Sequence, residues 1–305
     1  MRTVFKAACW LGLALLTGHA RAITVFACEP EWAALTRTLL PQATVRSATH
    51  HLQDPHHIEA RPSLIAQLRN SDLAVCTGAE LESAWLPTLQ ARAGNARVQN
   101  GQPGMFYAAE QVELIDPKKG GASAFAGDVH AQGNPHLHAD PRRLLTVARA
   151  LAMRLGQVSP AHKATIEQQL PQFERDLNAR MAVWAQQASA LKGRGVITQH
   201  ATFGYVWHWL GMSVLADLEP KPGMPPTAAH LEQVLAQAKA KRPMAIVVAQ
   251  HHDPKPARWL AQQLGGTTPL RVLPATVPDD QPGALLRWLD GLVSELAQTQ
   301  AAAKP

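Results

Sequence analysis

The amino-acid sequence predicts an α/β protein that consists of two lobes joined by one long helix. Short apolar segments alternate with helical segments near both ends of the 305 residues, and such alternation is typical of parallel sheets covered by helices. Between these regions lies a stretch in which apolar residues recur at helical spacing. We therefore expect an N-terminal lobe over residues 23–155, a linking helix over 156–192 and a C-terminal lobe over 193–305.

The first lobe is predicted to begin with a strand over the apolar residues 23–28, after which Glu29-Pro30-Glu31 opens a helical stretch through Leu40. Further strands are predicted over residues 44–47 and 73–77, and Gly78 closes the second of them. Further helices are predicted over residues 62–68, 80–89 and 141–155.

The linking helix is predicted over residues 160–191 because its apolar residues share a helical spacing, with charged residues and glutamines between them. These apolar residues are Ile166, Leu170, Phe173, Leu177, Met181, Trp184 and Leu191. Pro171 either kinks the run or marks a helix start. About 30 helical residues extend roughly 45 Å, which makes this helix a rigid connection between two halves.

The second lobe repeats the alternation of strands and helices. Its predicted strands are 195–198, 213–215, 245–249 and 270–273. Its predicted helices are 203–210, 228–240, 256–264 and 285–297. Two such lobes on one connecting helix leave a cleft between them, where small ligands usually bind.

Residues 1–22 are expected to be a cleavable signal peptide. Arg2 and Lys6 give a positive start, residues 7–17 are apolar, and Ala20-Arg21-Ala22 offers a small-x-small cleavage site. The mature protein would then begin near Ile23 and work in the periplasm. Removing this segment lowers the formal charge from +6 to +3, and without a basic stripe that excess does not indicate nucleic-acid binding.

Two cysteines, Cys28 and Cys76, remain in the mature chain, and both lie in predicted strands. An exported protein can hold a disulfide, but two buried free thiols fit the pattern equally well. A cysteine metal site is disfavoured because the sequence has no CxxC spacing.

Three histidines stand in predicted loops after strands or at helix starts. His56 lies in DPHH, His136 in NPHL and His200 in TQHA. Loops at the carboxyl ends of strands converge on ligands in α/β folds, and neutral imidazole is a natural ligand for Zn²⁺. The proline before His56 and before His136 stiffens each loop in advance of binding.

Four stretches together resemble the cluster A-I metal-binding proteins of ABC transporters. Residues 54–82 are similar to a signature that runs DPHxYExxPS and ends in GxxxE, with Ile58 in place of the usual aromatic. NPHLHADP (134–141) is similar to DPHxWxDP, and QHATFGYVWHWLG (199–211) to a histidine before an aromatic-rich helix. LEPKPGMPPTAAHL (218–231) resembles the EPxPGxxP[ST] loop of one branch of that family.

This resemblance implies two Rossmann-like lobes joined by one long helix, with His56, His136 and His200 as the metal ligands. It further implies a monomeric, non-enzymatic solute-binding protein of the zinc-uptake type, which delivers Zn²⁺ to a membrane ABC permease. Manganese-binding members carry a carboxylate where this chain has His200. Because Mn²⁺ prefers oxygen ligands, three imidazoles favour Zn²⁺ over Mn²⁺.

The fourth ligand position stays open at this point. Many family members fill it with an aspartate from the last lobe, which is missing here at its usual place. The candidates are water, Asp279, Asp280, His130, His251 and His252. Glu82 and Asp140 are expected either to orient a ligating imidazole or, equally, to cap a helix or lie solvated at the surface. His57 is expected to point away from the ion that His56 binds.

The main alternative function is a zinc-dependent hydrolase that uses the same three histidines, since three ligands and an open position also suit catalysis. A hydrolase usually places a general base beside the metal, but the sequence has neither HExxH nor HxHxDH. The transport receptor is therefore the preferred hypothesis.

Overall fold

The computed structural model describes residues 21–118 and 128–302, which form two four-stranded sheets flanked by helices. This arrangement confirms the predicted α/β class. Residues 1–20 of the predicted signal peptide lie outside this description. Within the described residues, no helix combines the length and the apolar character needed to cross a membrane.

The first sheet is entirely parallel and has the strand order β2-β1-β3-β4. Its strands are β1 (Thr24–Ala27), β2 (Thr44–Ser47), β3 (Leu73–Cys76) and β4 (Met105–Tyr107). The helices of this region are α1 (Pro30–Leu39), α2 (Pro62–Arg69) and α3 (Leu86–Ala93). Val25 in β1 pairs with Val45 on one side and with Leu73 on the other, so β1, which is buried except at Thr24, lies inside the sheet.

Two parts of the first lobe differ from the sequence prediction. Helix α3 begins at Leu86 instead of residue 80, because Gly78, Ala79 and Glu80 have φ values of 78°, 49° and 68°. This left-handed backbone cannot continue into a right-handed helix. Strand β4 was not predicted, since three residues are too few to show a periodicity.

Two helices occupy the middle of the chain, α4 (Pro141–Val158) and α5 (Lys163–Gln187). Pro171 lies inside α5 without ending it. Helix α5 packs against α1 and α4 from the first half and against α9 (Ala284–Ala302) from the second half. A helix in contact with both halves is consistent with the connecting role, and the boundaries 156–192 remain a prediction.

The second sheet repeats the topology of the first, with the parallel order β6-β5-β7-β8. Its strands are β5 (Gly195–Thr198), β6 (Ser213–Asp217), β7 (Ala245–Ala249) and β8 (Leu270–Leu273). The remaining helices are α6 (Gly204–Leu210), α7 (Ala228–Lys241) and α8 (Lys255–Gln263). Both sheets therefore place the first strand of their half, β1 or β5, between two neighbouring strands.

Contacts across the middle of the molecule join the two halves. Trp184 of α5 donates its indole N–H to Asp290 of α9 at 2.7 Å, and Arg180 pairs with the same carboxylate. Within the first lobe, a disulfide joins Cys28 and Cys76, whose Cα atoms are 4.8 Å apart. This bond resolves the choice that the sequence left open and links the ends of β1 and β3.

Candidate metal centre

Loops from both halves of the chain bring His56, His136 and His200 together. His56 lies between β2 and α2, His136 directly precedes a short 3₁₀ turn and α4, and His200 follows β5. The carboxyl ends of parallel strands gather at one edge of a sheet. Because the two sheets face one cleft with these edges, histidines that are about 60 to 140 positions apart in sequence become neighbours.

The three imidazoles form a compact, buried cluster. One ring nitrogen from each lies within 4.8 Å of the others. The ring centre of His56 lies 5.7 Å from that of His136 and 5.3 Å from that of His200, and the ring centres of His136 and His200 are 5.8 Å apart. Each residue is only 4–5% exposed. Small side-chain adjustments would bring these nitrogens within reach of one ion.

Asp54 fixes the orientation of His56. Its Oδ1 lies 2.7 Å from Nδ1 of His56 and also accepts the backbone N–H of His56 at 3.0 Å. Burial alone would raise the pKa of Asp54, but these hydrogen bonds and the His56 imidazole hold it well below its usual range. The carboxylate therefore keeps the proton of His56 on Nδ1, which leaves the Nε2 lone pair for a ligand.

Glu219 fixes His200 in the same way from a neighbouring loop. Its Oε2 lies 3.0 Å from Nδ1 of His200 and accepts the backbone N–H of Gly223 at 2.8 Å. Burial lowers the pKa of His200, but Glu219 outweighs this effect and raises it above its ordinary value. His200 has a φ of 66°, an uncommon value for a residue with a side chain, and Asp217 Oδ1 accepts its backbone N–H at 3.2 Å.

Asn134 positions His136 and connects it to the second lobe. Its Oδ1 accepts the backbone N–H of His136 at 2.9 Å, and its Nδ2 donates to the carbonyl of Ala201 at 2.9 Å. Tyr205 donates its hydroxyl to the carbonyl of Asn134 at 2.7 Å. A Cβ at Gly204 would lie 2.6 Å from Nδ2 of Asn134, so the absence of a side chain at this position permits the close approach.

His136 carries the clearest unmet hydrogen-bonding capacity of the three. Its Nε2 is buried and has no hydrogen-bond partner. Burial, together with the neighbouring His56 and His200, lowers the pKa of His136 well below its ordinary value. The ring is therefore neutral at physiological pH and offers an unshared electron pair to a cation.

Three more histidines surround the cluster. Nε2 of His130 lies 3.0 Å from Nε2 of His56. The ring centre of His252 is 5.4 Å from that of His200, and His251 packs on His252 at 4.3 Å. Burial is the largest of the effects that lower the pKa of each of these three histidines. The pKa falls to about 4 for His130 and for His251. All three remain candidates for the fourth ligand position.

The two aspartates considered for that position are engaged elsewhere. Asp279 pairs with Arg287 at 3.1 Å, and Asp280 pairs with Arg37 at 3.1 Å. Both carboxylates lie on the surface, with exposed side-chain fractions of 52% and 27%. They therefore form surface ion pairs, as expected for a turn beside Pro278.

Two carboxylates that were candidates for orienting an imidazole have other roles. Glu82 accepts the backbone N–H groups of Thr77 and Gly78 at 2.6 and 3.0 Å, so it holds the turn after β3. Asp140 caps α4 by accepting the backbone N–H of Arg142 at 2.9 Å. Asp140 therefore has the helix-capping role, whereas the described contacts of Glu82 neither cap a helix nor orient an imidazole.

The acids that do contact the cluster, Asp54 and Glu219, were not singled out by the sequence argument. Asp54 stands two residues before His56 in the same motif, and Glu219 opens the EPKPG stretch. Ligating histidines usually donate their second N–H to an acceptor, and this rule applied to the motifs would have found Asp54. Finding Glu219 requires the knowledge that the end of β6 lies beside that of β5. His57 is 65% exposed and points towards Asp128.

A buried imidazole cluster in the cleft between two similar α/β lobes defines the molecule as a two-lobed binding protein. A profile of the family described as "Zinc-uptake complex component A periplasmic" (ZnuA) matches residues 25–299. The chain belongs to this family. Its members are solute-binding components, which confirms the family predicted from the sequence motifs.

Individual relatives are similar but distant. The "High-affinity zinc uptake system protein ZnuA" of Yersinia pestis is 25% identical over 194 residues, which cover 60% of this chain and 61% of that protein. The aligned region thus spans about three fifths of that relative's length. The ZnuA protein of Bacillus subtilis is 22% identical over 219 residues, covering 70% of this chain and 66% of that protein.

Solved structures confirm the fold. A crystal structure of ZnuA superimposes with a TM-score of 0.76 at 19% identity and covers 92% of this chain and 99% of that chain. The solute-binding protein FpvC from Pseudomonas aeruginosa, solved in complex with Mn²⁺, gives 0.73 at 16% identity, with 93% and 100% coverage. At these identities the similarity applies to the two-lobed architecture.

Proposed function

We propose that this protein captures one Zn²⁺ in the cleft with His56, His136 and His200 and delivers it to a membrane ABC permease. The observation that carries the proposal is the buried set of three imidazoles, whose nitrogens lie within 4.8 Å of one another. Membership of the zinc-uptake family supports the identity of the cargo.

The environment of the cluster favours zinc. Asp54 and Glu219 hold the Nδ1 protons of His56 and His200, so their Nε2 atoms face the ion as neutral, basic donors. Imidazole suits Zn²⁺, whereas Mn²⁺ prefers carboxylate, carbonyl and water oxygens. The three proposed ligands include no carboxylate, and this composition supports selection of Zn²⁺ over Mn²⁺.

Burial of the cluster supports transport rather than catalysis. A hydrolase must admit both a substrate and a water molecule to its metal, but each of the three histidines is only 4–5% exposed. The two carboxylates that contact the three histidines directly, Asp54 and Glu219, already accept hydrogen bonds from imidazole nitrogens. Neither is therefore free to act as a general base, and the family is one of solute-binding proteins.

We further propose that the protein is a periplasmic monomer that is exported through the signal peptide at residues 1–22. The charged start, apolar run and small-x-small site support export, as does the disulfide between Cys28 and Cys76, because such bonds persist in oxidising compartments.

The test is zinc binding by the mature chain and its alanine variants. Titration against a chromophoric chelator should give one tight Zn²⁺ site in the wild type. Each of H56A, H136A and H200A should weaken it by more than the roughly 10–100-fold that loss of a ligand's outer partner causes. The matched control is H208A, which removes an exposed histidine from α6. One tight site in the triple variant would contradict the proposal.

A further inference from the structure

His130 makes an unusual contact with the centre of the cluster. Its Nε2 lies 3.0 Å from Nε2 of His56, and the two ring centres are 5.1 Å apart with a tilt of 35°. In each histidine, Nε2 is the ring nitrogen that lies farther from the residue's own backbone. His130 therefore presents a ring nitrogen directly to the nitrogen that His56 offers to an ion.

The tautomers of this pair are determined by Asp54. Because His56 donates Nδ1–H to Asp54, Nε2 of His56 carries a lone pair, and His130 must donate Nε2–H to make the contact. Nδ1 of His130 then becomes a buried acceptor, and it has no hydrogen-bond partner. The contact thus leaves a polar atom unsatisfied, which is unfavourable.

A metal ion between the two rings would change this arrangement. Zn²⁺ lies about 2.0–2.1 Å from imidazole nitrogens, so tetrahedral geometry separates two ligand nitrogens by about 3.3–3.4 Å. The present separation is 3.0 Å, and a shift of a few tenths of an ångström would accommodate an ion. The proton of His130 would move from Nε2 to Nδ1, with no net proton released.

The segment that carries His130 is held by both lobes. The backbone N–H of Asp128 donates to the carbonyl of Pro222 at 2.9 Å, and that of Ala131 donates to Glu80 Oε2 at 2.6 Å. Gly223, with a φ of 76°, permits the approach because a Cβ there would lie 2.3 Å from Asp128 Oδ2. The imidazole is thus presented by a positioned backbone.

We propose that His130 is the fourth protein ligand of the Zn²⁺, which would make the site a set of four imidazoles. The inference rests on the proposed function, since it needs the ion that His56, His136 and His200 bind. His252 is the competing candidate, since its Nε2 is buried without a hydrogen-bond partner and its ring centre lies 5.4 Å from that of His200. His130 is preferred because its Nε2 lies only 3.0 Å from Nε2 of a proposed ligand.

The first test counts imidazoles. Zinc X-ray absorption of the loaded wild type should show four nitrogen ligands from histidine, and H130A should show three. H130A should also weaken Zn²⁺ binding by at least about tenfold, since even outer partners of a ligand contribute that much. H208A should change neither quantity. Three imidazoles in the wild type, or loss of the fourth in H252A instead of H130A, would overturn the proposal.

The second test retains a ligand at the same position. H130C, loaded with Co²⁺, should show a thiolate-to-cobalt charge-transfer band, because the substituted thiolate would bind the ion. Cys28 and Cys76 are joined in a disulfide and give no such band. H208C is the control and should lack it. A folded H130C without the band would place residue 130 outside the coordination sphere.

The outcomes separate this inference from the proposed function. If the wild type binds tightly and needs His56, His136 and His200, but H130A binds equally well, then only the role of His130 is wrong. If the wild type has no tight zinc site, both ideas fail together.

Discussion

Glu219 offers a quantitative test of how the protein sets its zinc affinity. It is a positioning residue, since it contacts Nδ1 of His200 at 3.0 Å and is not a proposed ligand. Both side chains are buried, with exposed fractions of 4% for His200 and 7% for Glu219. Solvent therefore screens the interaction only weakly. We consider the substitutions E219Q and E219A.

The expected magnitude follows from the hydrogen bond. A bond to a charged group contributes about 1.5–3 kcal/mol and a neutral bond about 0.5–1.5 kcal/mol. E219Q keeps an acceptor but removes the charge, so it should cost about 1–1.5 kcal/mol of zinc binding, or about tenfold in Kd. E219A removes the acceptor altogether and should approach the upper end of the roughly 10–100-fold range for such partners.

The pH dependence gives an independent signature. Burial lowers the pKa of His200, but Glu219 raises it above the ordinary value, so protons compete with zinc for this ring from a higher pH than usual. In E219Q the largest raising contribution is lost and burial still lowers the pKa of His200, although Asp217 and Asp54 continue to raise it. The tenfold loss of zinc affinity in E219Q should therefore be largest above the pKa of His200 and become smaller as the pH falls through that pKa. In the metal-free protein, the stability contributed by the pair is present below pH about 6.5 and lost as the pH rises through the raised pKa.

The assay is chelator competition for Zn²⁺ over pH 5.5–8.5, with E232Q as the control. Glu232 is an exposed carboxylate on α7, so its neutralisation alters the net charge equally without touching His200. An unchanged affinity in E219Q, or a defect of the same size at every pH, would refute the proposed role of Glu219.

Two further predictions concern the first lobe. The double variant C28A/C76A should have a free energy of unfolding about 4 kcal/mol lower than the wild type in urea titrations, because the disulfide joins residues 48 positions apart. Mass spectrometry should confirm the bond in the wild type. An unchanged midpoint of urea unfolding would then count against this value. Burial, opposed by hydrogen bonds, raises the pKa of Glu82 to about 7. Between pH 4.5 and this value the folded state therefore holds a proton that the unfolded state has released. As a result, Glu82 makes the free energy of unfolding fall as the pH rises through this window. E82Q should therefore flatten the decline in unfolding free energy over that window, and equal slopes for variant and wild type would show that Glu82 titrates normally.

The sequence predicted the elements that have a clear periodicity, and it missed those whose conformation depends on contacts. The prediction for β7 has the same bounds as the observed strand, because all five of its residues are apolar and buried. The start of α3 was wrong because Ala79 and Glu80 adopt positive φ, which neither residue type indicates. The backbone there is fixed by Glu82, whose carboxylate holds the N–H groups of Thr77 and Gly78.

The same distinction applies to the metal centre. His56 and His136 follow prolines inside recognisable motifs, so their sequence neighbourhoods identify them. Their supporting groups depend on three-dimensional proximity: Glu219 reaches His200 because β6 lies beside β5 in the sheet. His130 likewise approaches His56 across 74 positions of sequence, a distance over which no local pattern carries information.

The hydrogen bonds around the cluster also divide the three proposed ligands into two groups. Asn134 binds the backbone of His136 and the carbonyl of Ala201, the residue after His200. His136 and His200 therefore belong to one connected unit, although they come from different halves of the chain. The loop of His56 is instead held by Trp85, which donates to the carbonyl of Pro55 at 2.9 Å. A movement of one group relative to the other can preserve these bonds and still change the position of His56 relative to the other two imidazoles, and such a change is what release of a shared ion requires.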